Sequence, residues 1–296
     1  MAKAKGIGFV MLNTNGIRIA TDKCFARELA AFRGGFEVYL QFDGLNDRVY
    51  QALRHQEMLD IKYQALANLA EHCVPTTLVC TVAHGINDKH IGELVAFGMN
   101  AKPVRGINFQ PLAYYGNDGP GERRTTLSGI LQSIESQTSK MLLKSDFIPL
   151  PCDPDRVAIT YLLRDKSGRF VPLTRGRDMS EVKPFIANTL MFTVEDTLKG
   201  LAGGFCSSGT CACWDVLNDI RKRLPGGFLL KPKEEKSRFV DEETFRMSVS
   251  SFVDRFNFDM KSMQMECVHV ITPDLKRIPF SAYNMLHRGR YHGFYV

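Results

Sequence analysis

The sequence predicts an α/β protein whose first half is a parallel sheet with crossover helices and whose second half is an α+β unit with a cysteine-rich loop. Three observations predict it. Over the first 145 residues, short apolar runs alternate with stretches of helical period. The residues just after each apolar run are polar. From about Ser145 the alternation gives way to prolines, hairpin patterns and clustered cysteines. Strand, helix and strand in alternation means parallel pairing, because a two-residue turn can join only antiparallel neighbours.

Taken in order, the strands are expected at residues 7–12, 36–42, 76–82 and 104–109, each rich in Val, Ile, Leu, Phe or Thr. Helical stretches lie at 23–32, 56–73, 89–100 and 126–143, where apolar residues recur at three- and four-residue spacing. In the second half, AITYLL and RFVPL flank a turn at 166–168 and read as an antiparallel pair. A helical stretch opens at Thr193. Residues 242–258 place Phe245, Val249, Phe252, Val253 and Phe256 on one helical face, which predicts a core-facing helix, and CVHVITPDLKRIPFSAY reads as a closing hairpin. The expected domains are 1–145 and 146–296.

Composition bounds the function. With 296 residues, 44% of them hydrophobic, the chain can bury a large core. Charges interrupt every apolar stretch before the roughly 18 residues that a membrane span needs, so no transmembrane segment is expected. The opening MAKAKGIGFVMLNTNG passes directly into a core strand without the separate apolar region of a secretion signal, and a cytoplasmic location is expected. Lys+Arg 38 against Asp+Glu 32 gives +6, a weak argument for nucleic acid. The densest basic stretch, 221–238, also holds Glu234 and Glu235 and lacks interleaved aromatics; it reads as a solvated linker, and no nucleic-acid partner is expected. Eight cysteines in a chain without a signal point to a reducing compartment, where thiols are free, metal-bound or catalytic and disulfides are the poorer explanation.

Two features bear chemistry. The first is the set of strand ends, Asn13-Thr14-Asn15-Gly16, Asp43-Gly44, His84 to Asp88, and Gln110-Pro111, because parallel sheets bind ligands at the carboxyl ends of their strands. Local rules offer other readings: NTNG as a hairpin turn, Asp43 and Asp88 as helix caps, His84 as structural. The second is the loop holding Cys206, Cys211 and Cys213, three thiols within eight positions separated by small residues that let backbone N–H groups turn toward sulfur. Cys152 or Cys267 could supply a fourth ligand, giving a site suited to iron–sulfur or zinc. The spacing departs from the paired short spacings of zinc knuckles and favours a cluster; the other reading is buried thiols without metal. Cys24, Cys73 and Cys80 fall in expected helices or a strand and read as structural.

Taken together, the segments LNTNGIRIA, EVYLQFDGL, TLVCTVAHGIND, VRGINFQPL, DFIPLPCDP, FVDRFNFD and CVHVITPDLKRIPFSAYN resemble, over nearly the whole chain, a radical S-adenosylmethionine (radical SAM) family, the group that includes archaeal tetraether lipid synthase and a related pterin-methylating enzyme. The resemblance implies a partial TIM-like (β/α)6 barrel in which NTNG ends a parallel strand. It implies a 4Fe-4S cluster that reduces S-adenosylmethionine, a 5′-deoxyadenosyl radical, and carbon–carbon bond formation or methylation on a lipid or pterin-like small molecule, with an electron donor as partner. The family's C-x3-C-x2-C triad and Gly-Gly-Glu-Pro turn do not occur in this sequence. The chain is therefore expected to be an N-terminally truncated member whose barrel lacks the first two βα units, inactive alone, and dependent on an intact parent or a separate N-terminal polypeptide for the radical SAM cluster. No catalytic residue is assigned.

By resemblance, the cofactor-binding positions are Asn13, Asn15, Gln41 and Asp43, suited to ribose and the methionyl carboxylate, then Thr81 and Asn87, and Asn108 and Gln110 toward the adenine. Cys152, Cys206, Cys211, Cys213 and Cys267 resemble ligands of an auxiliary cluster. Asp153 stands where the family has histidine, and Ser281 where it has cysteine. The rival function is a non-catalytic iron–sulfur or zinc-binding scaffold or interaction module.

Overall fold

The computed structural model describes residues 3–32, 35–116, 119–121, 123–165, 167–175, 232, 235 and 242–288. Its strands are β1 (Val10–Thr14), β2 (Phe36–Gln41), β3 (Thr76–Val82), β4 (Val104–Pro111), β5 (Ile148–Pro149), β6 (Val157–Arg164), β7 (Phe170–Pro172), β8 (Thr244–Ser250), β9 (His269–Ile271) and β10 (Arg277–Pro279). The main sheet runs β1-β2-β3-β4-β8-β6-β5, with β7 paired to β6, and β9 and β10 form a separate hairpin. The first four strands and β8 pair in parallel, whereas β6 runs antiparallel to β8. The helices include α1 (Ile17–Thr21) and α2 (Lys23–Ala30) after β1, then α3 (Asp47–Arg54) and α4 (Leu59–Glu71) after β2. α5 (Ile91–Asn100) follows β3, α6 (Leu127–Gln137) follows β4, and α7 (Met260–Met265) follows β8.

Local chemistry explains the boundaries. Side-chain oxygens of Asp22, Asn46 and Thr126 accept from the backbone N–H groups of Phe25, Val49 and Gly129, satisfying orphan donors at the starts of α2, α3 and α6. Gly16 ends β1 at φ 87°. A Cβ there would lie 2.7 Å from Leu40 Cδ1, so the turn into α1 needs glycine both for its backbone angle and for room. The hairpin reading of NTNG is thus overturned: Leu12 pairs in parallel with Val38, and the chain after Gly16 enters a helix.

The register divides the sheet into two faces. Val38, Leu40, Leu78, Cys80, Val82, Ile107, Phe109, Phe245, Met247 and Val249 belong to one core with Ala65, Leu69, Leu94 and Ile134 of the helices. Strand side chains alternate, so the opposite face carries Asn13, Glu37, Tyr39, Gln41, Thr77, Thr81, Asn108, Gln110, Arg246 and Ser248. The apolar face is covered by helices, and the other carries these polar groups together with Met11, Val79, Val157 and Ile159.

One expected element is corrected. Residues 242–258 do not form a single helix, because residues 244–250 are strand β8, inserted beside β4. The i, i+4 spacing of Phe245 and Val249 fits either period, but the buried Met247 between them fits only period two. Among the described residues the sheet therefore has five parallel strands, and strands from both sides of residue 145 share it. The antiparallel pair β6–β7 and the terminal hairpin β9–β10 form where the sequence places them. The helical stretch expected from Thr193 lies outside the described residues.

Candidate functional site

At the carboxyl ends of β1 to β3 a polar cluster is built around Asp43, whose side chain is fully buried. Arg54, at the end of α3, places Nε 2.8 Å from Asp43 Oδ2 and Nη2 3.3 Å from Oδ1, and Nη2 also donates to Thr81 Oγ1 at 3.0 Å. The Thr81 backbone N–H donates to Asp43 Oδ1 at 2.9 Å, and Gln41 Nε2 donates to Oδ2. Every lone-pair direction of the carboxylate is used, which is how a charge persists in a dry setting.

Lys62 lies beneath this cluster on α4 and is fully buried. Its ammonium donates to the Asn15 carbonyl at 2.5 Å and to Gln41 Oε1 at 3.2 Å. Burial lowers its pKa to about 8, against the opposing pull of Asp43. One carboxylate thus faces two cations, and the loop after β1 is tied to the end of β2.

Asn87 braces the next loop. Its Oδ1 accepts from Ala83 N at 2.8 Å, and its Nδ2 donates to the carbonyls of Asp43 and Thr81 at 2.8 and 2.7 Å. Asn87 and Asp43 are fully engaged by protein partners, so they position the strand ends rather than offer free groups. Asn13 and Asn15 are exposed, Gln110 is half-buried, and the Asn15 side chain accepts from Ile17 N at the start of α1. All eight residues expected here lie on the polar face or in the loops at its carboxyl edge. The bond of His84 Nδ1 to Asp88 Oδ2, 2.8 Å, is local to its turn.

Deeper on the same face, Arg246 of β8 reaches Glu37 Oε2 at 3.3 Å and Thr77 Oγ1 at 2.9 Å, and Thr77 donates to Glu37. Gly106 permits this approach, since a Cβ there would meet the Arg246 carbonyl at 2.5 Å. Between this pair and the strand ends, Asn108 Nδ2 donates to the Tyr39 hydroxyl. The sequence reading missed Arg54, Lys62, Tyr39, Glu37 and Arg246. A signal for Lys62 existed: it sits at helical spacing from the buried Ala65, Leu66 and Leu69, and a lysine on a core face has a polar reason to be there.

Two of the five cysteines expected as ligands, Cys152 and Cys267, lie among the described residues. Cys152 and Cys267 are joined as a disulfide, although disulfides were the poorer expectation from sequence. The β9–β10 hairpin and the loop after β5 bring them together across 115 positions. Ser281 donates from N and Oγ to Glu266, each at 3.0 Å, and burial raises Glu266 and pushes Asp153 up to about 6. Cys206, Cys211 and Cys213 lie outside the described residues. Among the described residues no three His, Cys, Asp or Glu side chains come together to hold a metal. Cys24 and Cys73 are exposed rather than packed, and Cys80 is buried, which raises its thiol pKa.

No protein-family profile matches the chain. It is 26% identical over 334 aligned residues to 7,8-dihydro-6-hydroxymethylpterin dimethyltransferase of Methanocaldococcus jannaschii, an alignment that takes in 97% of this chain and 63% of the relative. The chain spans less than two thirds of that curated relative's length. A radical SAM methyltransferase structure from Sphaerobacter thermophilus matches at TM-score 0.33 and 17% identity over 44% of this chain and 37% of its own. No helix among the described residues is long and apolar enough to cross a membrane.

Proposed function

We propose that this chain contributes the adenosyl-binding strand ends of a radical SAM enzyme that methylates, or forms carbon–carbon bonds on, a pterin-like or lipid substrate. The observation supporting the reading is the polar face of the parallel sheet, which ends at its carboxyl edge in the Asp43, Arg54, Gln41, Thr81 and Lys62 cluster. Similarity to the pterin dimethyltransferase favours a methyl acceptor built on a nitrogen ring over other small molecules.

The residues present suit S-adenosylmethionine. Thr81 and Gln110 at the strand ends, the exposed Asn13 and Asn15, and the amide of Asn108 would meet ribose, carboxylate and adenine groups. Asp43 and Asn87 set the positions of the loops that hold them. When bound, the sulfonium cofactor supplies the one-carbon unit or the adenosyl group of the reaction. Lys62 and Arg54 leave one positive charge over Asp43 at this edge, which suits a carboxylate. Among the described residues no three ligands converge to hold a 4Fe-4S cluster.

The test is retention of labelled S-adenosylmethionine in anaerobic equilibrium dialysis by protein reconstituted with iron and sulfide. Thr81→Val and Gln110→Ala are expected to weaken retention by about tenfold each, the effect of one lost hydrogen bond to a bound polar group. Protein that retains no cofactor, or variants that retain it as wild type does, overturns the reading.

A further inference from the structure

Asn108 is 4% exposed, yet its carbonyl oxygen Oδ1 has no hydrogen-bond partner. Its Nδ2 donates to the Tyr39 hydroxyl oxygen, reaching across β3 from β4 to β2. That bond uses a lone pair of the phenol and leaves the phenolic proton without an acceptor among the described residues. Burial pushes Tyr39 up to about 12, so the group remains an O–H donor. A carbonyl acceptor and a hydroxyl donor therefore stand together on the polar face. If the amide is turned over, Tyr39 donates to it and the pair still shows one donor, Nδ2, and one acceptor, the phenol lone pair.

Several neighbours of this pair are already bonded. Gln41, Asp43 and Thr81 are bonded to one another or to Arg54 and Lys62, and Glu37 and Thr77 to Arg246. A buried amide with one end open amid satisfied groups marks the place where a partner is missing. We propose that Tyr39 and Asn108 read the amidine or lactam edge of a planar nitrogen heterocycle, with Tyr39 a specificity-determining residue. Such an edge sets an N–H beside a ring nitrogen or carbonyl oxygen, the complement of an adjacent acceptor and donor; an asparagine amide pairs with adenine on the same logic. Adenine and the amino-oxo edge of a dihydropterin share this chemistry. The inference rests on the function proposed above only in placing a ligand on this face.

Isothermal titration of the full chain, without iron or reductant, tests it with adenosine, N6,N6-dimethyladenosine and 7,8-dihydro-6-hydroxymethylpterin as probes. Adenosine or the dihydropterin is expected to bind, and Tyr39→Phe and Asn108→Leu are each expected to weaken that binding at least about tenfold. Tyr39→Phe keeps the ring in place, and circular dichroism of both variants confirms that they fold. If adenosine is the ligand, its dimethylated analogue, lacking the N–H, binds wild type as weakly as adenosine binds the variants. A response to adenosine identifies the cofactor ring, and a response to the dihydropterin identifies the methyl acceptor. Equal binding by wild type and both variants, or no binding of either ring to wild type, overturns the inference and leaves the open amide to a buried water. The proposed function fails separately, through absent cofactor retention in the reconstituted protein.

Discussion

Lys62 shows how one side chain couples the site to stability. Its ammonium is sealed from water and bonded to a backbone carbonyl and an amide oxygen, and its pKa falls from the usual 10.5 to about 8. Desolvation is the largest cause; Asp43 opposes it and Arg54 adds to it. Between those two values the unfolded chain holds a proton on Lys62 that the folded chain has released, so stability rises with pH across the window. Below it, the lysine is charged in both states and the full desolvation penalty acts on the fold. Relative to Lys62→Met, the wild type is expected to gain on the order of 3 kcal/mol of unfolding free energy from pH 8 to 10.5. Urea unfolding across that range checks it, and a constant difference would show the ammonium to be hydrated.

At the scale of elements, β8 is the piece that completes the polar face. It lies between β4 and β6 and brings Arg246 to Glu37, 209 positions earlier. Removing one member of such a pair leaves a buried charge alone. Arg246→Met is accordingly expected to cost about 3–5 kcal/mol, and Glu37→Gln in the same chain to restore much of that loss, because the pair rather than either charge is what the fold tolerates. Chemical denaturation of the two single variants and the double variant gives the coupling. Additive losses would separate the two side chains and return residues 242–258 to the helix that their i, i+4 pattern predicts.

At the scale of the molecule, the terminal hairpin is fastened to the sheet by the Cys152–Cys267 bridge. It also touches the sheet's loops through the Phe252–Phe280 and Tyr115–Phe280 ring contacts. A crosslink over 115 positions removes much freedom from the unfolded chain. In oxidised protein, Cys152→Ser is expected to cost about 4–5 kcal/mol, and reductant to abolish the difference between variant and wild type. Thermal unfolding with and without dithiothreitol reads this, and non-reducing peptide mapping shows whether the two thiols are paired.

The alternation of apolar runs and helical stretches by itself determined β1 to β4 and their parallel order, since only long crossovers join such strands, and thereby set Asn13, Gln41, Thr81 and Gln110 along one edge. Only the tertiary structure decided which polar residues stay open. Asp43 and Asn87 look as available in sequence as Asn108, yet Arg54, Thr81 and two backbone carbonyls engage them, whereas Asn108 keeps an unpaired oxygen. Hydrogen-bond satisfaction depends on neighbours distant in the chain. The insertion of β8 was hidden for a related reason: positions i and i+4 share a face in helix and strand alike, and only pairing with β4 separates the two periods.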